Sequence, residues 1–162
     1  MHNVEDDLTL CEYQALAEFR YQIRHFLAAS EESARSVGLE PEQYLLLLAV
    51  RGMPIGKEPS IQALAQRLGV HHNTAVERVD RLARMGLVRR HRGRVDARIV
   101  LLALTGRGDR ILEKLASKRM TELSKTGPEL VAALTKVISA TQTMAKKSSG
   151  RRKNSRHRKR HS

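Results

Sequence analysis

Two short amphipathic segments joined by a glycine turn restrict the folds that this chain can adopt. In the first, apolar residues recur at positions i, i+3, i+4 and i+7, which predicts a helix with one buried stripe. That stripe consists of Ile61, Leu64, Ala65 and Leu68. Ser60 is suited to its N-cap and Gly69 to the left-handed residue that ends it. The second segment, which ends at Gly86, has the apolar stripe Ala75, Val79 and Leu82, so the pair indicates a helix-turn-helix motif.

The second predicted helix carries polar and basic residues away from its apolar stripe. Such a helix fits the major groove of duplex DNA, where Arg pairs with guanine and Asn with adenine. The residues predicted to read bases are His72, Asn73, Thr74, Arg78 and Arg81. The alternative is an ordinary pair of surface helices in which Glu77 and Asp80 pair with neighbouring arginines.

A basic hairpin is predicted directly after these helices. Leu87 and Val88 begin one strand, residues 99–104 form the other, and Gly93 permits a turn between them. The residues of this hairpin assigned to the predicted DNA-binding site are Arg92, Arg94, Asp96 and Arg98. Crowded like charges do not favour folding, so we expect the arginines to meet phosphates or a narrow minor groove. A solvated basic loop is the alternative interpretation.

These features together resemble the MarR (multiple-antibiotic-resistance regulator) family of winged helix-turn-helix proteins. The matching residues are Leu64-Ala65 with Leu68, Val79-Asp80-Arg81-Leu82, Gly86-Leu87-Val88, Asp96-Ala97-Arg98, Leu104-Thr105 and Gly108. The resemblance implies a mainly α fold with a small β-wing, dimerisation through N- and C-terminal helices, and an Asp96 that orients a wing arginine. The sequence departs from the family pattern at two places. Arg92-Gly93-Arg94 makes the tip of the wing more basic, and His71-His72-Asn73 at the start of the second helix changes the base preference.

Four segments are predicted along the chain. Residues 1–40 form an N-terminal dimerisation helix, 41–105 the winged helix-turn-helix domain, 106–145 C-terminal dimerisation helices, and 146–162 a disordered basic tail. The first helix is predicted over 12–35, and the second, from about Pro41 to Val50, is apolar all round and therefore largely buried.

The C-terminal helices are predicted from an N-cap residue, a helix-breaking Gly-Pro pair and a regularly spaced stripe of mainly apolar residues. Thr105 is a suitable N-cap, and Gly127-Pro128 is expected to end the first of them. A spacing of four, three, four and three residues then predicts a seam that packs against another helix, in the partner or in the same subunit. The seam consists of Leu130, Leu134, Val137, Thr141 and Met144.

The positive charge of the chain is unevenly distributed. The formal net charge is +13, and residues 146–162 hold nine Lys or Arg and no acid, which leaves +4 on residues 1–145. This tail either adds non-specific phosphate contacts or is simply solvated.

Several classes of function are excluded by what the sequence lacks. It has no catalytic signature, so we expect neither an enzyme nor a cofactor, and the adjacent His71 and His72 do not suggest a metal site. A single cysteine, no secretory signal and no membrane-spanning apolar run predict a cytoplasmic protein without membrane contact. The family resemblance implies that this cytoplasm is bacterial and that the protein is nucleoid-associated when bound to DNA.

Two further groups of residues are candidates for regulation. The resemblance implies a cleft for a small aromatic or phenolic effector, lined by Tyr21, Arg24, His25 and Tyr44. Cys11 is a candidate redox residue, because one branch of the family senses peroxides through a first-helix cysteine. The alternative is an inert residue, since neighbouring acids oppose formation of a thiolate.

The sequence thus predicts a homodimeric, sequence-specific transcriptional regulator. It would bind double-stranded DNA at a pseudo-palindromic operator and act as a repressor released by an effector. A peroxide-sensing regulator that uses Cys11 and a non-specific architectural nucleic-acid-binding protein are the alternatives.

Overall fold

The computed structural model describes residues 8–93 and 98–158, with side chains up to residue 142. Its elements in chain order are α1 (Leu10–Arg35), α2 (Pro41–Arg51), α3 (Ile61–Leu68), α4 (His72–Arg84), β1 (Val88–Arg92), β2 (Val100–Leu104) and α5 (Gly106–Arg158). Two compact units are formed, one from residues 28–121 and the other from residues 1–27 and 122–162. The mainly helical fold with a two-stranded wing confirms the predicted fold class.

The core of the unit 28–121 is built from the apolar stripes of α2, α3 and α4. Its largest fully buried side chains are Leu46, Leu47, Leu64, Leu82, Leu87, Leu102 and Val79. The predicted α4 stripe is confirmed, since Ala75, Val79 and Leu82 have no exposed surface. The predicted caps of α3 are also confirmed: the Ser60 hydroxyl accepts a hydrogen bond from the Ala63 N–H at 3.2 Å, and Gly69 has a φ of 64°.

The hairpin is held against the helix-turn-helix by its second strand. β1 and β2 are antiparallel, in a register that pairs Val88 with Leu104 and Arg92 with Val100. The Leu102 N–H donates to the Pro59 carbonyl at 3.0 Å, just before α3 begins. The hairpin is therefore attached to the start of α3 as well as to the end of α4.

The start of α5 is in close contact with the turn that follows α4. The Thr105 hydroxyl donates to the Gly86 carbonyl at 2.7 Å and accepts from the Gly108 N–H at 3.0 Å, which confirms Thr105 as the N-cap. A Cβ on Gly108 would lie 2.1 Å from the Leu87 carbonyl oxygen, so only glycine fits there. Thr105 and Gly108, three residues apart, thus both contact the turn after α4: Thr105 through its hydroxyl, and Gly108 through its lack of a side chain.

The substitution Gly108→Ala is expected to destabilise the fold by about 1–3 kcal/mol, because the backbone of Leu87 must move away from the new methyl group. Gly106→Ala is the matched control, since its Cβ would meet only the Arg110 side chain at 3.6 Å. Alanine in that first turn should be neutral or stabilising. Urea unfolding of both variants measures the difference, and equal stabilities would contradict the close contact.

Three expectations about the helices are corrected by the structure. α5 does not break at Gly127-Pro128 but continues through it, since a proline removes only one backbone hydrogen bond and the turns on either side persist. It also runs to Arg158, through most of the predicted disordered tail, because Lys and Arg are favourable helix residues. In α2, Leu45 and Leu48 are 46% and 41% exposed, so this helix is buried on one side only.

Helix α1 begins two residues earlier than predicted. The Thr9 hydroxyl and N–H both donate to the Glu12 carboxylate, at 2.8 and 2.6 Å, which forms a cap before Leu10. Within the described ranges, no helix is long and apolar enough to cross a membrane.

Candidate nucleic-acid interface

Helix α4 presents a polar face directly opposite its buried stripe. The exposed residues on that face recur at i, i+4, i+8 and i+11 and are Asn73, Glu77, Arg81 and Arg84. The predicted residues Thr74 and Arg78 are half-buried on one flank of this face, and His72 is exposed at the first turn. The face therefore contains two of the five predicted base-reading residues, together with Glu77 and Arg84.

The N-terminus of α4 is open to a ligand. His71 occupies the N-cap position but makes no hydrogen bond through its side chain to the helix. Both His71 and His72 are exposed. The amide groups of a helix's first turn carry partial positive charge, which favours an anion such as a phosphate at this end.

An ion pair connects α4 to the hairpin. The Arg90 guanidinium donates from Nη2 to the Asp80 carboxylate at 2.5 Å, with 39% and 45% of the two side chains exposed. The pair lies beside an open groove between α4 and β1, lined by Glu77, Asp80, Arg81, Ala83, Arg84 and Arg90. Asp80 thus orients Arg90, an arginine of the wing. This pair agrees with the alternative interpretation of the sequence, in which Asp80 pairs with a neighbouring arginine.

Arg90 was missed by sequence reasoning, although a signal was available. Gly86 ends α4 and β1 begins two residues later, so the first residues of the strand must run back past the last turns of the helix. The family resemblance assigned the orienting role to Asp96 instead. Asp96 and Arg94 lie outside the described residues, so their roles remain predictions.

The exposed edge of the hairpin is basic along its length. Arg89, Arg90, His91 and Arg92 are consecutive and all exposed, and Arg98 on the return is exposed as well. Alternation along the strand places Arg90 and Arg92 on one face and Arg89 and His91 on the other. Arg92 belongs to β1 and pairs with Val100, whereas the sequence had placed it in the loop at the tip.

The ion pair between Asp80 and Arg90 is expected to contribute only ~0.2–1 kcal/mol to stability, since both side chains are partly solvated and water screens their attraction. A double-mutant cycle of Asp80→Ala and Arg90→Ala, followed by urea unfolding, measures this coupling. The coupling should fall towards zero in 1 M salt. A coupling above about 2 kcal/mol that persists in salt would show a more rigid connection than the geometry indicates.

The C-terminal end of α4 is fixed by the first turn of α5. The Arg107 guanidinium donates from Nη1 to the Met85 carbonyl at 3.1 Å, next to the hydrogen bond between Thr105 and Gly86. A cation at this end also complements the negative end of the α4 dipole. The C-terminal half of α4 is therefore held by the hairpin through Asp80 and by α5 through the carbonyls of Met85 and Gly86.

The predicted effector residues fall in two separate units. In the unit that contains α1, Tyr21 and His25 have ring centroids 4.6 Å apart, and Arg24 is exposed beside them. Tyr44 lies in the core of the unit 28–121, 6% exposed. Burial raises the pKa of the Tyr44 hydroxyl, and the positive charge of the buried Arg119 partly offsets the shift.

Cys11 is exposed in the first turn of α1, and its redox role remains a prediction. The acidic residues that precede it at positions 5–7 are outside the described part of the chain. No group of three or more His, Cys, Asp or Glu among the described side chains is placed to hold a metal ion.

Comparison with known proteins identifies relatives of this fold. Residues 37–99 match the sequence model of the MarR family, which confirms the resemblance inferred from the motifs. No curated protein sequence matches the chain.

Solved structures of MarR-type regulators share the fold across most of the chain. A crystal structure of a MarR family transcription regulator has a TM-score of 0.65 and 22% identity and covers 85% of this chain and 92% of its own. AbsC, a MarR family transcriptional regulator from Streptomyces coelicolor, has a TM-score of 0.66 and 21% identity, with coverages of 90% and 99%. A mutant of MarR from E. coli, complexed with operator DNA, has a TM-score of 0.57 and 22% identity, with coverages of 75% and 89%.

Proposed function

We propose that this chain, which matches the MarR family over residues 37–99 and has the fold of its solved regulators, is a DNA-binding repressor. It acts as a homodimer on a pseudo-palindromic operator. The observation that carries this proposal is the exposed polar face of α4 beside a basic hairpin. The whole of α4 and the described residues of the hairpin together contain seven arginines and two acids.

Base recognition is assigned to the α4 face. Asn73 suits the N6 and N7 atoms of adenine, and Arg81 and Arg84 suit the O6 and N7 atoms of guanine. Glu77 suits the N4 amino group of cytosine, so it is a specificity residue and not an obstacle to an anionic partner. Contacts to bases or phosphates at the edge of the groove are assigned to the half-buried Thr74 and Arg78 on the flank and to the exposed His72 at the first turn.

Phosphate contacts are assigned to the hairpin and the N-terminus of α4. Arg89, Arg92 and Arg98 have exposed positions from which a guanidinium reaches the DNA backbone or the minor groove. The first-turn amides of α4 supply a further anion site, with His71 and His72 beside it. These contacts set the register of the protein on the duplex, while α4 reads the sequence.

Dimerisation is supported by apolar residues exposed in the unit formed by residues 1–27 and 122–162. On α5, Val131, Leu134 and Ile138 follow helical spacing and are 64%, 41% and 48% exposed. On α1, Leu10, Tyr13 and Leu16 are 73%, 57% and 44% exposed. A second copy of the chain would bury these residues, and a two-fold dimer would present two α4 helices to successive major grooves.

A small aromatic or phenolic acid is the proposed effector that releases the repressor. Support comes from Tyr21 and His25 of α1, whose ring centroids lie 4.6 Å apart, and from the exposed Arg24 next to them in the sequence. A phenol donor and a guanidinium suit the hydroxyl and carboxylate of such a ligand. Binding would act by favouring a dimer geometry whose α4 helices no longer match the operator.

The proposal is tested by footprinting the DNA upstream of the protein's own gene. Protein truncated after Ala145 is used with an excess of competitor DNA, so that residues 146–162 do not contribute. A protected site with two-fold symmetry is the expected result. Protection by the full chain alone, without a defined boundary and sensitive to salt, would instead favour a non-specific architectural protein.

A further inference from the structure

Asp80 lies on the flank of α4 that faces the hairpin, and two arginines are placed to pair with it. Arg84 follows it by four residues, so the two are neighbours on the helix surface. Arg90 belongs to β1 and lines the same open groove as Asp80 and Arg84. The Asp80 carboxylate accepts a hydrogen bond from Arg90 Nη2 at 2.5 Å. Asp80 is thus paired with the hairpin and not with the residue of its own helix.

The pairing of Asp80 leaves Arg84 available to a partner outside the protein. Asp80 and Arg84 have the order and spacing of a helical ion pair, with the acid four residues before the base. Among the described side chains, however, Arg84 forms no ion pair, and it is exposed. Because the Asp80 carboxylate is bound to Arg90, it does not compete with a DNA base for the Arg84 guanidinium.

A carboxylate at the position of Asp80 opposes an anionic partner unless a cation compensates it. The Asp80 side chain is 45% exposed and therefore hydrated in the protein alone. A duplex seated on the α4 face would remove part of that water, and a carboxylate that loses water without a paired cation has a high free energy. Arg90 supplies the compensating charge at hydrogen-bonding distance.

The hairpin is attached to its unit by contacts other than this ion pair. The Leu102 N–H donates to the Pro59 carbonyl at 3.0 Å, and Leu101 and Leu102 are buried. An ion pair whose side chains are 39% and 45% exposed adds little to these contacts, because water screens it. The effect of the pair on DNA binding is therefore expected to exceed its effect on stability.

We propose that Arg90 is a positioning residue for base recognition. It holds the Asp80 carboxylate away from Arg84 and compensates the charge of that carboxylate when the operator covers the groove. Arg90 thus acts on DNA through Asp80, whereas Arg89 and Arg92 beside it are the proposed phosphate contacts. This role rests on the proposed function, in which Arg84 reads a base.

The experiment compares four forms of the full chain on the operator identified by footprinting and on an unrelated duplex of equal length. They are the natural chain, Arg90→Gln, Asp80→Asn and the double variant. Arg90→Gln is expected to lower the ratio of the two affinities about 10-fold or more, because Asp80 then meets the operator without its cation. The double variant also lacks the carboxylate and should recover the ratio to within about 3-fold of the natural chain. Asp80→Asn alone should not weaken operator binding.

Recovery in the double variant distinguishes this role of Arg90 from two others. If the pair only stabilised the hairpin, the double variant would bind as poorly as Arg90→Gln, since both lack the pair. If Arg90 contacted a phosphate, its loss would weaken binding to both duplexes equally and without recovery. The slope of log K against log salt would then also become shallower by ~0.9 per subunit. Either result would overturn the inference.

Two further arginine variants serve as controls. Arg35→Gln breaks the ion pair of Arg35 with Glu31 on α1, whose side chains are 52% and 45% exposed, and should leave both affinities unchanged. Arg89→Gln removes a proposed phosphate contact from the adjacent position of β1. It should weaken binding to both duplexes and make the salt slope shallower.

The partner of Asp80 is also measured without DNA, from the NMR signal of the Arg84 Nε–H group. In Arg90→Gln, pairing with Asp80 should slow the exchange of this hydrogen with water, and the double variant should restore the natural rate. If no form prefers the operator, the proposed repressor function fails, and the exchange rate alone decides whether Arg90 keeps Asp80 from Arg84. If the operator is preferred but the exchange rate is unchanged in Arg90→Gln, the repressor function stands and this role of Arg90 is overturned.

Discussion

Substitution of Arg81 by alanine is expected to weaken operator binding by about 5- to 150-fold, the equivalent of ~1–3 kcal/mol for one bidentate contact to guanine. Arg81 is exposed on the α4 face opposite the buried stripe of Ala75, Val79 and Leu82. Its removal therefore leaves the core intact. The measurement is a titration of labelled operator and of an unrelated duplex at one salt concentration.

The ratio of the two affinities distinguishes a base contact from a phosphate contact at Arg81. A base contact lowers the affinity for the operator much more than that for unrelated DNA, whereas a phosphate contact lowers both equally. Arg20→Ala is the matched control, because Arg20 is an exposed arginine of α1. An Arg81→Ala protein that binds the operator as tightly as the control would remove this residue from the proposed interface.

The double substitution Leu134→Asp and Ile138→Asp is expected to raise the dissociation constant of the dimer at least about 100-fold. Burial of each side chain against a partner contributes about 1.5–3 kcal/mol, and a buried unpaired carboxylate adds a further cost. Both residues are already 41% and 48% exposed within the chain, so the subunit fold should persist. Sedimentation equilibrium measures the dimer, and circular dichroism monitors the fold.

Lys136→Asp provides the control for this substitution. It adds the same carboxylate to an exposed position between the two apolar residues on α5. A monomeric double variant should also lose the two-fold symmetric footprint, because each half-site contact is then made independently. An unchanged dimer would place the interface elsewhere and leave these exposed apolar residues without an assigned partner.

Local patterns in the sequence determined most of the helix-turn-helix and its caps. The stripes of α3 and α4, the N-cap hydroxyls of Ser60 and Thr105, and the left-handed Gly69 all follow from interactions within a few residues. Such interactions are visible in a sequence because helical periodicity and capping depend on spacing alone. The basic character of the hairpin was visible from composition alone, and the spacing of the motif residues from Leu64 to Gly108 indicated the MarR resemblance.

Only the tertiary structure decided which side chains meet across elements. The ion pair of Asp80 with Arg90 and the approach of Gly108 to the Leu87 carbonyl join residues of different elements. Whether Pro128 ends α5, and whether Leu45 and Leu48 of α2 are covered, was likewise not decided by local pattern. Spacing specifies which face of an element a residue lies on, whereas the neighbour on that face depends on how distant elements pack. For this reason helix α4 could be predicted from the sequence, and the groove beside it could not.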